Sequence, residues 1–115
     1  MSTKTHTESV EHLFDAVLQL KTKEECYKFF EDVCTVKELL AIAQRYEVAV
    51  LLTEKMTYLN IAAQTGASTA TISRVNRSLA YGEDGYSLVF ERLGIGQDTA
   101  HDNSIKAIKK DEFDG

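Results

Sequence analysis

The 115-residue chain contains no proline and no tryptophan, and it has only two cysteines. Because proline breaks a helix in its interior, the absence of proline permits long uninterrupted helices. Cys26 and Cys34 have a spacing that matches neither a zinc site nor a redox pair, so we interpret both as ordinary thiols. The histidines His6, His12 and His101 form no metal-ligand pattern. We therefore expect no bound metal.

The motifs of common enzymes are missing as well. The sequence has neither a glycine-rich phosphate loop nor the strand-turn-helix signature of a nucleophile elbow, so we expect no enzymatic activity and no cofactor. No apolar run approaches the roughly 20 residues that span a bilayer, and residues 1–9 lack the apolar centre of a signal peptide. These features predict a cytoplasmic protein that does not contact a membrane.

Positive charge is scarce, with 13 lysines and arginines against 18 aspartates and glutamates, a net charge of −5. The distribution along the chain is uneven. Residues 57–80 hold two basic and no acidic side chains, whereas residues 1–56 hold seven and ten, and residues 81–115 hold four and eight. A segment without carboxylates inside an acidic chain is typical of a surface that approaches phosphates.

Three helices are predicted before this segment. The apolar spacing predicts a first helix over residues 8–20. Thr22 with Glu25, and Thr35 with Glu38, are capping boxes that open a second helix and a third, the third extending to about residue 55. In the second helix we expect an inward face made of Cys26, Phe29, Phe30 and Val33.

The third helix is apolar around most of its circumference, above all at residues 48–52. Such a helix must be covered on most sides. Two short neighbours in a small domain give little cover, so we predict that another copy of the chain supplies it. The alternative is a central core helix of a monomer.

Residues 57–79 have the spacing of a helix-turn-helix. Thr57 caps a first short helix in which Leu59 and Ile61 face inward, and Gly66 follows where the chain leaves that helix with positive φ. Ser68 caps the second helix. The buried stripe of the second helix is predicted to contain Ile72, Val75 and Leu79.

The outer face of the second helix carries small hydroxyls, an amide and two guanidiniums, a set suited to a DNA major groove. Near the start of the helix, the candidates for base contacts are Ser68, Thr69 and Thr71, with Arg74 further along, and the candidates for phosphate contacts are Asn76 and Arg77. Ala70 and Ser73 complete the surface. A helical hairpin whose outer face is merely solvated is the alternative.

Gly82 is expected to stop this helix, and a last short helix holds apolar residues 86–93. From residue 97 onward the chain is mostly polar and is predicted to be a flexible acidic tail. We therefore divide the chain into one helical domain over residues 1–96 and a tail over residues 97–115.

The string VCTVKELLAIAQRYEVAVLLTEKMTYLNIAAQTGASTATISRVNRSL, residues 33–79, resembles the Trp repressor family without a gap. Residues 70–74 match its signature ATIxR, and the TGASTATISRVNRSL block is similar to the YerC/YecD-like branch of that superfamily. The resemblance covers roughly residues 10–95. It implies an all-α, six-helix Trp repressor-like fold with a helix-turn-helix, in an intertwined homodimer.

The sequence departs from the family at the tryptophan pocket. In the Trp repressor two arginines clamp the indole, and a glycine beside the second makes room for it. Arg74 matches the second arginine, but Gln44 stands at the first position and Val75 at the glycine. Glutamine cannot stack on a ring or hold a carboxylate as a guanidinium does. We therefore expect no tryptophan corepressor, while Gln44, Arg74 and Val75 could line a pocket for another small molecule.

Together these features favour a sequence-specific DNA-binding transcriptional regulator, acting as a repressor and a homodimer on double-stranded DNA. The alternative is a dimeric protein-interaction module that has lost DNA binding, which the low number of cations favours. A further alternative holds Arg74 folded over the pocket, where it would influence DNA only indirectly.

Overall fold

The computed structural model describes residues 3–96, which form six α-helices and no strand. In chain order these helices are α1 Glu8–Val17, α2 Lys23–Val33, α3 Val36–Thr53, α4 Tyr58–Thr65, α5 Thr69–Tyr81 and α6 Gly85–Leu93. The prediction of an all-α fold is confirmed. The predicted tail at residues 97–115 lies outside the described residues.

The helix starts follow the capping residues in the sequence. Thr22 Oγ1 accepts from Glu25 N at 3.1 Å, and Glu25 Oε1 accepts from Lys21 N at 2.8 Å. Thr35 and Glu38 bond reciprocally, at 3.0 Å and 2.9 Å. Each pair satisfies backbone N–H groups that have no partner within the helix, which is why α2 and α3 begin at these residues.

The described chain divides into two compact units, residues 3–43 and residues 44–96. In the second unit, α3, α4, α5 and α6 all contribute to one apolar core. Its buried members are Val48, Ala49, Val50, Leu51, Ile61, Ala67, Ile72, Val75 and Phe90. Tyr46 packs on the edge of this core, with its ring in a T-shaped contact with Phe90 at 5.8 Å between centroids. Partial burial of the Tyr46 hydroxyl raises its pKa, and the negative charge of Glu47 raises this pKa further by a smaller amount.

This core corrects one prediction. We expected the apolar run at residues 48–52 to need cover from another copy of the chain, but residues 48–51 are buried within the chain itself. The side chains that join them in the core come from α4, from Ala67 in the turn that follows it, and from α5 and α6. The apolar run at residues 48–51 therefore belongs to a core helix, as in the alternative, and this run carries no argument for a second copy.

A second correction concerns α4. Ile61 is buried as predicted, but Leu59, which we expected to face inward, is 81% exposed. Residues 59 and 61 are separated by about 200° around a helix, so they cannot both face one core. The helix has only 8 residues, too few for the apolar spacing to indicate which face packs.

The first unit contains α1, α2 and the first part of α3, and none of its described residues is buried. Phe29 and Phe30 are half-buried, with ring centroids 5.4 Å apart. Cys26 and Val33, predicted to face inward on α2, are exposed. Further large apolar side chains exposed in this unit are Leu13, Phe14, Leu18, Tyr27, Val36, Leu40 and Ile42.

Candidate nucleic-acid interface

The turn between α4 and α5 is held by short-range hydrogen bonds. Gly66, at φ 75°, donates its N–H to the carbonyl of Ala62 at 2.8 Å. Thr65 Oγ1 accepts from the N–H of Ala67 at 3.1 Å and donates to the carbonyl of Ile61 at 2.7 Å. Ala67 is itself buried in the core. The turn therefore has a defined backbone path, and its left-handed φ favours glycine at position 66.

The first turn of α5 is capped by Ser68, as predicted. Ser68 Oγ accepts from the N–H of Thr71 at 3.1 Å and lies 3.2 Å from Thr71 Oγ1. Thr71 is half-buried, whereas the sequence predicted that it faces outward. Both hydroxyls are engaged with each other at the helix start, so Thr69 and Ser73 are the hydroxyls on this face that are exposed without such a partner among residues 3–96.

The outer face of α5 carries the remaining predicted DNA contacts. Thr69, Ser73, Arg74, Asn76 and Arg77 are all exposed. Within the described chain, neither guanidinium has a carboxylate within salt-bridge distance, and α4 and α5 contain no acidic residue. The helix therefore presents two arginines whose charge is not neutralised by neighbouring side chains.

The three candidate pocket residues have different environments. Val75 is only 2% exposed and belongs to the core, so its side chain fills space beneath α5. Arg74 is exposed. Gln44 is half-buried on α3, and its Nε2 donates to the carbonyl of Thr65 at 3.0 Å, at the end of α4.

Residues 3–96 contain no group of three or more histidine, cysteine or acidic side chains placed to hold a metal ion. Over the same residues, no helix combines the length and the apolar character needed to cross a membrane.

Two short helices joined by a turn at a left-handed glycine, with the second exposing arginines and hydroxyls, define the helix-turn-helix class. The chain belongs to the Trp repressor protein family, whose sequence profile matches residues 8–94. It is 50% identical over 90 residues to the protein YerC of Bacillus subtilis (strain 168), a match that covers 78% of this chain and 86% of YerC.

Solved structures agree with this assignment. A TrpR like protein from Eubacterium eligens ATCC 27750 is 63% identical, with a TM-score of 0.79, and the match covers 82% of this chain and 97% of that one. A candidate Trp repressor from Staphylococcus aureus is 45% identical, with a TM-score of 0.78, and the match covers 83% and 96%. The Trp repressor-like fold and the YerC-type character predicted from the sequence are both confirmed.

Sequence reasoning missed the contact between Gln44 and Thr65. The two residues are 21 positions apart, so no local pattern relates them. The predicted end of α4 could have indicated such a contact. The last carbonyls of a helix have no partner inside it, and a side chain from elsewhere often donates to them. A polar residue on the neighbouring helix was the candidate donor.

Proposed function

We propose that this protein is a sequence-specific DNA-binding transcriptional regulator, a repressor that acts in the cytoplasm as a homodimer without a tryptophan corepressor. The observation that carries the proposal is the outer face of α5, where Arg74 and Arg77 are exposed and no carboxylate lies on α4 or α5. A guanidinium without an acidic partner is available for phosphate oxygens or a guanine edge. Membership of the Trp repressor family supports the same function.

Within the interface we assign separate roles to the residues. Thr69, Ser73 and Arg74 are proposed to reach base edges, and Asn76 and Arg77 to bind phosphates. Ser68 and Thr71 set the first turn of α5, because their hydroxyls are engaged with each other and with the backbone. A contact from either hydroxyl to DNA would have to be made in addition to that bond.

The homodimer is supported by the first unit. Its exposed side chains include Phe14, Leu18 and Leu40, and none of its described residues is buried. Apolar surface of this extent is stabilised when a second surface removes it from water. A two-fold symmetric pair would place two copies of α5 on a symmetric operator, with half-sites about 34 Å apart.

The contacts of Gln44 and Val75 support the proposal that the protein binds no tryptophan. The amide of Gln44 is bonded to the Thr65 carbonyl, and the valine side chain is buried in the core. Neither residue provides the guanidinium or the empty space that an indole and its carboxylate require.

Selection of bound sequences from a random duplex pool tests the function directly. The purified protein is expected to enrich a two-fold symmetric site, and its affinity should fall as salt rises because phosphate contacts release counterions. If no duplex is retained even at low salt, the protein-interaction module replaces this proposal. A thermal scan with added L-tryptophan tests the second part, since a bound ligand raises the melting temperature and we expect no rise.

A further inference from the structure

We infer that Gln44 is a positioning residue for DNA binding, and that its bond to the end of α4 fixes the recognition helix without any small-molecule effector. This inference rests on the proposed DNA-binding function and adds how the outer face of α5 is held in place. The side chain of Gln44 orients the helix-turn-helix.

The geometry at the turn is specific. Gln44 Nε2 lies 3.0 Å from the Thr65 carbonyl oxygen. A Cβ built on Gly66 would lie 3.9 Å from the same nitrogen, so the amide sits directly against the turn. Because a carbonyl can only accept, the nitrogen of the amide must face Thr65 and its oxygen must point elsewhere. The bond therefore has one possible direction.

The bond satisfies a group that α4 cannot satisfy itself. Thr65 is the last residue of α4, and the final carbonyls of a helix lack an intrahelical N–H partner. Gln44 belongs to α3, whose residues 48–51 are fully within the core. A half-buried hydrogen bond from this well-packed helix thus fixes the position where α4 ends and the turn begins.

The other side of the turn is fixed by packing. Ala67, next to Gly66, is buried, and Val75 anchors the underside of α5 in the same core. Between these two anchors and the Gln44 bond, the start of α5 has little freedom to tilt. The recognition surface is therefore set before DNA is met, which lowers the ordering cost of binding.

Two substitutions remove the donor in different ways. Gln44→Met keeps the length of the side chain without any N–H, and Gln44→Glu keeps the shape but places oxygen against the Thr65 carbonyl. Hydrogen exchange is followed by NMR at the amides of Gly66 and Ala67, with the Leu88 amide, bonded to Asp84 O at 3.0 Å in α6, as the internal reference. DNA affinity is measured on the selected duplex at several salt concentrations.

Both variants should exchange about three- to tenfold faster at Gly66 and Ala67, with Leu88 unchanged, because one hydrogen bond of ordinary strength is lost locally. For Gln44→Met the dissociation constant for DNA should rise by a similar factor with the salt slope unaltered, since no phosphate contact is removed. Gln44→Glu also adds a negative charge near the DNA, so it should weaken binding further. Gln44→Lys retains a donor and should restore the exchange protection to within about twofold of wild type.

The matched control is Gln64→Met, the same change at an exposed position of α4. The Gln64 amide donates only a weak hydrogen bond, to Met56 Sδ at 3.4 Å. It should alter neither the exchange at the turn nor the DNA affinity.

Faster exchange at Leu88 to the same extent as at Gly66 would indicate a general packing role and overturn the inference. Unchanged turn exchange, or faster turn exchange with unchanged DNA affinity, would also overturn it. Failure of the wild-type protein to bind any duplex would instead overturn the proposed function, while the exchange data would still report on the turn.

Discussion

The two units of this chain differ in how completely they bury their apolar residues. Residues 44–96 form a closed core from parts of four helices, whereas residues 3–43 bury none of their described residues. Both units are helical and both have well-formed caps, so local structure does not explain the difference. The second unit, which contains the helix-turn-helix, has its own core, whereas the first unit exposes large apolar side chains among residues 3–43.

This difference shows that helix formation and core formation are separate requirements. Capping residues set where α1 and α2 begin, although α1 ends at Val17, earlier than the predicted residue 20; helices of 10 and 11 residues are marginal without tertiary packing. The stability of residues 3–43 is therefore expected to depend on assembly, and that of residues 44–96 on the chain itself.

The largest effect is expected in the closed core. Ile72→Ala removes a side chain with no exposed surface and should lower the free energy of unfolding by about 2 to 5 kcal/mol, since a cavity adds to the lost burial. Leu59→Ala, at an exposed position on α4, should change it by less than about 0.5 kcal/mol. Urea unfolding followed by circular dichroism measures both. Equal losses would show that the second unit is not organised around this core.

A charged residue placed on the first unit tests whether a second copy of the chain covers it. Phe14→Glu places a carboxylate on a side chain that is 58% exposed in the single chain. If a second copy covers α1, burying that carboxylate without a partner costs several kcal/mol, and the dimer dissociation constant should rise on the order of a hundredfold or more. Sedimentation over a range of concentrations reports this. Leu59→Glu on the self-contained half should leave the molecular mass unchanged, and a stable monomer for the wild type would contradict the homodimer.

Substitutions on the outer face of α5 should affect DNA binding but not stability. Arg74→Ala should cost roughly 1 to 3 kcal/mol of binding, mainly on the preferred duplex, because Arg74 lies closer to the end of α5 that we propose enters the groove. Arg77→Ala should weaken all duplexes alike and reduce the salt slope by about one per recognition helix. Unfolding should be unaffected in both variants. If binding to every duplex is unchanged, α5 is not the recognition helix.

The smallest effect is a gain in stability. Lys55 has φ 65°, a left-handed conformation that costs a residue with a Cβ roughly 1 kcal/mol. Lys55→Gly should therefore stabilise the second unit by about 0.5 kcal/mol once the greater freedom of the unfolded glycine is subtracted. The same substitution inside a helix, Lys28→Gly in α2, should instead destabilise by about 1 kcal/mol. Melting temperatures that move in the same direction would refute this account of Lys55.

The sequence allowed correct prediction of features that depend on neighbouring residues. Thr22, Thr35, Thr57, Ser68 and Gly66 mark helix ends through contacts a few positions away, and the structure places a helix start or end at each of them. The buried stripe of α5 was likewise evident from its period, with Ile72 and Val75 fully buried and Leu79 half-buried.

Features that depend on distant residues could not be predicted. Hydropathy showed that residues 48–52 need cover but not that α4, α5 and α6 supply it. The spacing in α4 did not distinguish Leu59 from Ile61, since the orientation of so short a helix is decided by its neighbours. At the candidate site, the resemblance to the family drew attention to positions 44 and 75, but it did not predict that Gln44 bonds to Thr65.

The end of α5 at Gly82 has a consequence for how this protein can change. A Cβ at that position would collide with the backbone carbonyl of Ser78, so a residue other than glycine favours continuing the helix over stopping it. Each residue added to a helix turns everything after it by about 100°. If a substitution at Gly82 extends α5 by one residue, α6 must turn with it, and we expect Phe90 to lose its place in the core. Variation in α5 is therefore expected on its surface and not in its length.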